Sequence, residues 1–174
     1  MPARTSFNAP RAWLLLAASL ALSACAARAP LPQTTPTLEL PQQLLVQRRD
    51  AQADSDWLLV IQEDAGALRF SLLDPLGVPL ARQRLVEGEW RSEGLLPPNP
   101  QARELFAALL FALTPAEQLA RSYPGSRADN SSRRLAQRGQ LRWEVRNGEA
   151  RAFSLRLQDG ALYQVTPLAS EAGQ

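Results

Sequence analysis

The chain holds few residues that can do chemistry. Its 174 residues include no histidine and a single cysteine, Cys25, and all 19 of its basic residues are arginines. These absences exclude Ser-His and Cys-His nucleophiles, histidine general bases, Schiff-base lysines and histidine metal sites. We therefore expect no cofactor and no metal site, and we do not expect an enzyme.

Paired carboxylates are the remaining catalytic alternative. Asp54 with Asp56, or Glu63 with Asp64, are close enough in sequence to act together in hydrolysis. Both pairs lie among turn-forming residues at the ends of predicted strands, where acids are common and exposed. A catalytic role would require two of these side chains to share a buried cleft.

The surroundings of Cys25 predict lipid attachment. Arg4 and Arg11 precede an apolar run over residues 13–22, which is the pattern of a secretory signal. That run is too short to cross a bilayer, which takes about 20 residues. The segment Leu22-Ser23-Ala24-Cys25 resembles the lipobox of bacterial lipoproteins, in which the cysteine receives a diacylglyceryl group. The alternative is an incidental thiol in an ordinary secretory signal.

This resemblance divides the chain into three parts. Residues 1–24 are predicted to be a signal peptide, residues 25–41 an acylated cysteine with a proline-rich tether, and residues 42–174 a single domain. Ala26 stands where the inner-membrane retention signal of lipoproteins has Asp, which favours the periplasmic face of the outer membrane. The extended tether could reach roughly 45 Å.

The charge of the mature chain argues against a nucleic-acid partner. Seventeen arginines and seventeen acids remain after residues 1–24 are removed, so the formal charge is zero. Nucleic-acid binding depends on excess positive charge. The arginines are nonetheless uneven, because residues 127–159 hold eight of them and four acids. They form either a patch for lipid phosphates or an acidic partner, or the solvated face of paired strands.

Alternation of apolar and polar residues predicts a mainly β domain. The predicted strands cover residues 44–48, 57–62, 68–72, 80–87, 141–146, 153–157 and 162–166. Asn147-Gly148 and Asp159-Gly160 predict two-residue hairpin turns between the last three strands.

One helix is predicted between the two groups of strands. Asn99 is its expected cap, Pro100 its first residue, and apolar residues recur on one face through residue 113. A capping box at residues 114–117 should start a second helix that ends near Arg121. The apolar face must be buried, so we predict an α+β fold in which the helix closes a half-open antiparallel β-barrel.

A turn that joins two predicted strands presents an apolar residue. Asp74, Pro75 and Gly77 suit the first, second and fourth places of a type I turn, so Leu76 occupies the third. Leu76 either folds back onto the domain or points outward. In a membrane-tethered domain an outward leucine could enter lipid, which contributes about 1.5 to 3 kcal/mol.

The order of these features resembles the LolB family, outer-membrane receptors that take lipoproteins from the carrier LolA. It is closer still to a family of uncharacterised LolB-like lipoproteins, some of them encoded beside aryl-polyene pigment genes. The resemblance implies a LolA/LolB-type barrel with a helical lid. It also implies that Pro75-Leu76-Gly77 is the membrane-inserting loop, in which Leu76 helps to pass cargo into the membrane.

The implied partners are membrane lipid, a periplasmic carrier protein and a cargo with acyl chains, either a lipoprotein or a lipid such as an aryl-polyene lipid. The candidate lining of a lipid cavity is Trp57, Leu59, Phe70, Leu72, Leu105, Phe106, Leu109, Leu110, Trp143, Val145, Phe153 and Leu155. A solid core would instead favour an envelope assembly or scaffold lipoprotein that binds a protein partner. A void of several hundred Å³ would favour lipid.

Acylation of Cys25 is directly testable. We expect cells fed an alkyne-bearing palmitate to label the wild-type chain and not the Cys25→Ser variant, because that variant lacks the thiol that accepts the acyl group. A variant that still carried the label would contradict the lipobox interpretation.

Overall fold

The computed structural model describes residues 29–49, 54–97 and 99–168. The predicted signal peptide and Cys25 lie outside the described residues. Within the described ranges, no helix has the length and apolar character needed to cross a membrane.

A single antiparallel sheet of ten strands dominates the domain. The strands are β1 (Gln42–Arg49), β2 (Asp54–Asp64), β3 (Ala67–Leu73), β4 (Pro79–Val86), β5 (Glu89–Ser92), β6 (Arg127–Ala128), β7 (Ser132–Gln137), β8 (Gln140–Asn147), β9 (Phe153–Leu157) and β10 (Leu162–Pro167). Their order is β5-β4-β3-β2-β1-β10-β9-β8-β7-β6, so β1 and β10 join the two halves of the chain. Because β5 and β6 lie at opposite edges, the sheet is open and not closed into a barrel.

Two helices complete the domain and confirm the prediction of a mainly β fold with helices. They are α1 (Pro100–Leu113) and α2 (Ala116–Ser122). The Asn99 side chain accepts a hydrogen bond from the Ala102 amide at 3.0 Å, and Pro100 begins the helix, as predicted.

The predicted capping box is wrong in its chemistry. The Thr114 hydroxyl donates back to the Leu110 carbonyl at 2.7 Å, and α2 starts after Pro115 without a side-chain cap. The last carbonyls of a helix lack partners within the helix, so the Thr114 hydroxyl, one turn after Leu110, binds one of them. This hydroxyl therefore caps the end of α1 and not the start of α2.

The core lies between α1 and the inward face of the sheet. Phe106 and Phe111 of α1 are fully buried against the sheet residues Phe70 and Trp143. The ring centroids of Phe70 and Phe106 are 5.4 Å apart, and those of Phe111 and Trp143 are 5.7 Å apart. Buried residues of every long strand join this one cluster.

Neither predicted two-residue hairpin has that length. Residues 148–152 connect β8 to β9, and the Gly148 amide bonds to the Ala152 carbonyl. The Asn147-Gly148 prediction fails because the positive φ angles of this loop fall on Ala150 and Arg151 instead. Residues 158–161 connect β9 to β10, and there Gly160 does adopt a positive φ, within a four-residue connection.

The described part of the tether is packed onto the domain. The Gln33 amide donates to the Ser122 carbonyl at 2.8 Å, and the Thr37 amide donates to the Gln118 side chain at 3.0 Å. Ala29, Leu38 and Leu40 pack against the core cluster. Residues 29–41 are therefore a strap along α2, and the predicted reach of the whole tether does not apply to them.

Candidate functional site

The connection between β3 and β4 is a rigid turn built on one carboxylate. Asp74 Oδ1 accepts hydrogen bonds from the amides of Leu76 at 2.9 Å and Val78 at 2.8 Å. The Gly77 amide donates to the Asp74 carbonyl at 2.9 Å, as a type I turn requires. Because these bonds fix the backbone, the side chain of Leu76 points away from the domain and is 89% exposed.

Further apolar side chains are exposed at the same end of the sheet. Val78 and Leu80 follow the turn, and Leu95, in the connection from β5 to α1, is fully exposed. The Glu93 amide donates to the Arg82 carbonyl, and Leu80 and Pro97 line one shallow groove, so the connection from β5 to α1 runs beside the part of β4 that follows the turn. We call Leu76, Val78, Leu80 and Leu95 the apolar tip.

Sequence reasoning missed Leu95. The pattern that could have indicated it is the segment Gly94-Leu95-Leu96-Pro97, in which leucines lie between a glycine and a proline. Leu76 lies between Pro75 and Gly77 in the same way. Glycine and proline favour turns and interrupt strands, so they keep such a short connection out of the sheet. A leucine in the connection then has few side chains of its own domain to pack against.

The twelve candidate cavity residues come together on the inward face of the sheet and on α1. All except Trp57, which is half-buried, are buried members of the core cluster. Leu105, Phe106, Leu109 and Leu110 fill the space over the sheet. The described interior is thus occupied by the protein's own side chains, with α1 in the position that an acyl chain would need.

Polar contacts hold α1 over the sheet at both of its ends. Glu104 accepts a hydrogen bond from Trp143 Nε1 at 2.7 Å and pairs with Arg142. At the other end, Arg133 donates to the Thr114 carbonyl at 2.6 Å. Burial lowers the pKa of Arg133. Sequence reasoning did not single out Glu104, which is the one acidic residue of α1.

An open groove of about 770 Å³ lies beside the C-terminal end of α1. Leu40, Leu113 and Phe153 supply apolar surface to it, and Arg133 and Arg151 supply positive charge. Phe153 is also one of the candidate cavity residues. Phe153 therefore connects this groove to the inward face of the sheet.

Two buried hydroxyl groups near α1 lack hydrogen-bond partners among the described residues. They belong to Ser122 and Tyr123, at the end of α2. The Tyr123 ring contacts those of Phe111 and Trp143, with centroids 5.1 and 6.4 Å away. Burial raises the pKa of Tyr123. A buried hydroxyl without a partner costs about 1 to 3 kcal/mol, so a bound polar group could stabilise this region.

The two candidate pairs of carboxylates lie at opposite ends of one strand. Asp54 and Asp56 begin β2, whereas Glu63 and Asp64 end it. Asp56 is exposed and pairs with Arg49 at 2.9 Å, and Asp64 pairs with Arg69. Among the described ranges, no group of three or more acids, cysteines or histidines could hold a metal ion.

A protein-family model matches residues 39–165, which is most of the chain, so the protein belongs to that family. The family is described as a protein family of unknown function, DUF3261. No curated protein matches the chain.

The Asp74 turn can be tested apart from any function. We expect Asp74→Ala to speed amide hydrogen exchange at Leu76 and Val78 and to lower the free energy of unfolding by roughly 1 kcal/mol, because two amides lose their acceptor. The matched control is Asp54→Ala, which removes an exposed carboxylate at the start of β2. Equal exchange in both variants would show that Asp74 does not fix the turn.

Proposed function

We propose that this protein is a LolB-like outer-membrane lipoprotein, held by acylated Cys25, whose periplasmic domain binds or transfers an acylated molecule. The cargo is a lipoprotein or a lipid, including aryl-polyene lipid. In this proposal the open sheet and α1 form the half-open barrel and its lid, and the apolar tip is where cargo passes between the domain and the membrane.

The observation that carries the proposal is the exposure of Leu76 on a turn that Asp74 holds in place. Burial of one leucine side chain contributes about 1.5 to 3 kcal/mol. An exposed leucine therefore offers this free energy to a lipid or protein surface that covers it. Leu95 and Val78 enlarge the surface beyond a single side chain. Because the turn is already ordered, contact with lipid costs little further conformational entropy.

Uptake of an acyl chain requires α1 to move, because its side chains occupy the interior. The contacts of Glu104 with Arg142 and Trp143 would open at one end, and the contact of Arg133 with Thr114 at the other. The groove beside Phe153 gives a route to the widened space. The Ser122 and Tyr123 hydroxyls would then meet polar atoms of the cargo.

A second candidate function is an envelope scaffold that binds a protein partner without cargo. The buried interior favours it, because Phe70, Phe106 and Trp143 are fully buried and the rings of Phe70 and Phe106 lie 5.4 Å apart, as side chains of an ordinary core do. In that case the apolar tip would contact protein and α1 would stay in place.

A transfer assay tests the proposal through the apolar tip. The chain is loaded with a fluorescent diacylated peptide, and its release to acceptor vesicles is timed. We expect the Leu76→Ser, Leu95→Ser double variant to transfer the peptide at least about tenfold more slowly, because the tip loses the apolar burial that assists the step.

The matched control is Leu141→Ser, Leu162→Ser, which removes two exposed leucines away from the tip. Transfer at the wild-type rate by the tip variant would contradict the role of Leu76. Failure of the wild-type chain to bind or release the peptide at all would favour the scaffold.

A further inference from the structure

Four arginines gather on the outward face of β6 to β9. The strand register places Arg134 opposite Glu144, Glu144 opposite Arg156, and Arg127 opposite Arg134. Arg146 lies two residues beyond Glu144 on the same strand and on the same face. We call Arg127, Arg134, Arg146 and Arg156 the arginine row.

Three of these arginines share one buried carboxylate. Glu144 Oε1 lies 2.9 Å from Arg134 and 3.2 Å from Arg146, and Glu144 Oε2 lies 3.8 Å from Arg156. The Glu144 side chain is only 6% exposed, whereas the three arginine side chains are 52 to 59% exposed. Burial would raise the pKa of Glu144, but the hydrogen bonds and charges of Arg134 and Arg146 lower it overall.

The row therefore carries excess positive charge in a fixed place. One carboxylate cannot neutralise three guanidinium groups, and Arg127 adds a fourth from the neighbouring strand. Each guanidinium has five N–H donors, most of which remain available to solvent or to a ligand. In the other half of the sheet, two acids face two outward arginines: Arg69 pairs with Asp64 and Glu93, and Arg84 lies 3.7 Å from Asp64.

The strap limits how far the domain can stand from the proposed anchor at Cys25. Gln33 is bonded to Ser122, which precedes Arg127 by only five residues. Ala29 packs against the core, and Cys25 lies four positions before it in the sequence, which is a reach of at most about 14 Å. An anchor this short would hold the domain close to the bilayer, where a basic patch on its surface could reach the headgroups.

We infer that the arginine row binds the phosphate groups of anionic lipid headgroups in the membrane that holds Cys25, and so orients the tethered domain on that surface. This inference rests on the proposed acylation of Cys25. Each planar guanidinium group can donate two parallel hydrogen bonds to the oxygens of one phosphate. The attractions of several exposed basic residues to an anionic surface add together. The buried Glu144 keeps three of the guanidinium groups together, which favours headgroups over isolated counterions.

Vesicle co-sedimentation tests the inference without the anchor. The mature chain, residues 25–174 with Cys25→Ser, is mixed with vesicles of phosphatidylcholine alone or with phosphatidylglycerol added. We expect binding to the phosphatidylglycerol vesicles only, and we expect Arg134→Gln, Arg156→Gln to weaken it by about tenfold or more. The matched control, Arg49→Gln, Arg91→Gln, removes the same charge from β1 and β5 and should bind as the wild type does.

A second pair keeps the test valid if the first variant fails to fold. Arg127→Gln, Arg146→Gln leaves the short contact between Arg134 and Glu144 intact and should weaken binding similarly. Equal losses in the control and row variants would overturn the inference, as would a wild type that ignores phosphatidylglycerol. Binding of polyglutamate without binding of vesicles would also overturn it, in favour of an acidic protein partner.

The apolar tip separates this inference from the proposed function. The Leu76→Ser, Leu95→Ser variant should retain phosphatidylglycerol binding, because its arginine row is unchanged. If the row variants lose vesicle binding while the tip variant alone loses cargo transfer, both ideas stand. If vesicle binding depends on the tip and not on the row, the inference about the row fails and the proposed function does not.

Discussion

The packing of α1 onto the inward face of the open sheet is the interaction on which the rest of the structure depends. Ten antiparallel strands present one apolar face, and without α1 that face would meet water along its length. Phe106 and Phe111 cover it by contacting rings that come from both halves of the chain, Phe70 from the first and Trp143 from the second. The helix thus adds a second link between two groups of strands whose backbones pair where β1 meets β10.

Because of the same packing, the proposed function requires α1 to move. The residues that would line a lipid cavity are the residues that now form the core, so cargo and α1 compete for one space. Contacts of Glu104 and Arg133 hold the helix at its two ends, and the groove beside Phe153 adjoins the second of them. A lid held by a few polar contacts can be displaced by a ligand that replaces the apolar burial the lid provides.

Much of this architecture could be predicted from the sequence, because the helix and the longer strands have strong periodic patterns. The helix bounds and its Asn99 cap are confirmed, and so are the last three strands. The pattern failed at β7, where Leu135 is the only buried residue in a strand of six, and at the very short β6. The predicted hairpin lengths were wrong because an Asn-Gly or Asp-Gly pair favours a tight turn but does not decide which residues take the positive φ angles.

The candidate site could be predicted only where local chemistry decided it. Asp74, Pro75 and Gly77 define their turn by themselves, so the position of Leu76 followed from four residues. The arginine row, in contrast, depends on the register of four strands, and the order of the same arginines along the chain does not distinguish a binding patch from a solvated face. The strap also depends on tertiary contacts, since nothing in a proline-rich segment indicates that α2 will bind it.

Native mass spectrometry of the protein, extracted gently from its own membrane, tests the central claim most directly. The account predicts a non-covalently bound acylated molecule in addition to the chain's own anchor, and predicts its loss when Phe153→Asn makes the groove side of the interior polar in a folded protein. A mass equal to the anchored chain alone, unchanged after incubation with envelope lipids, would contradict the account and leave a scaffold with a permanently filled core.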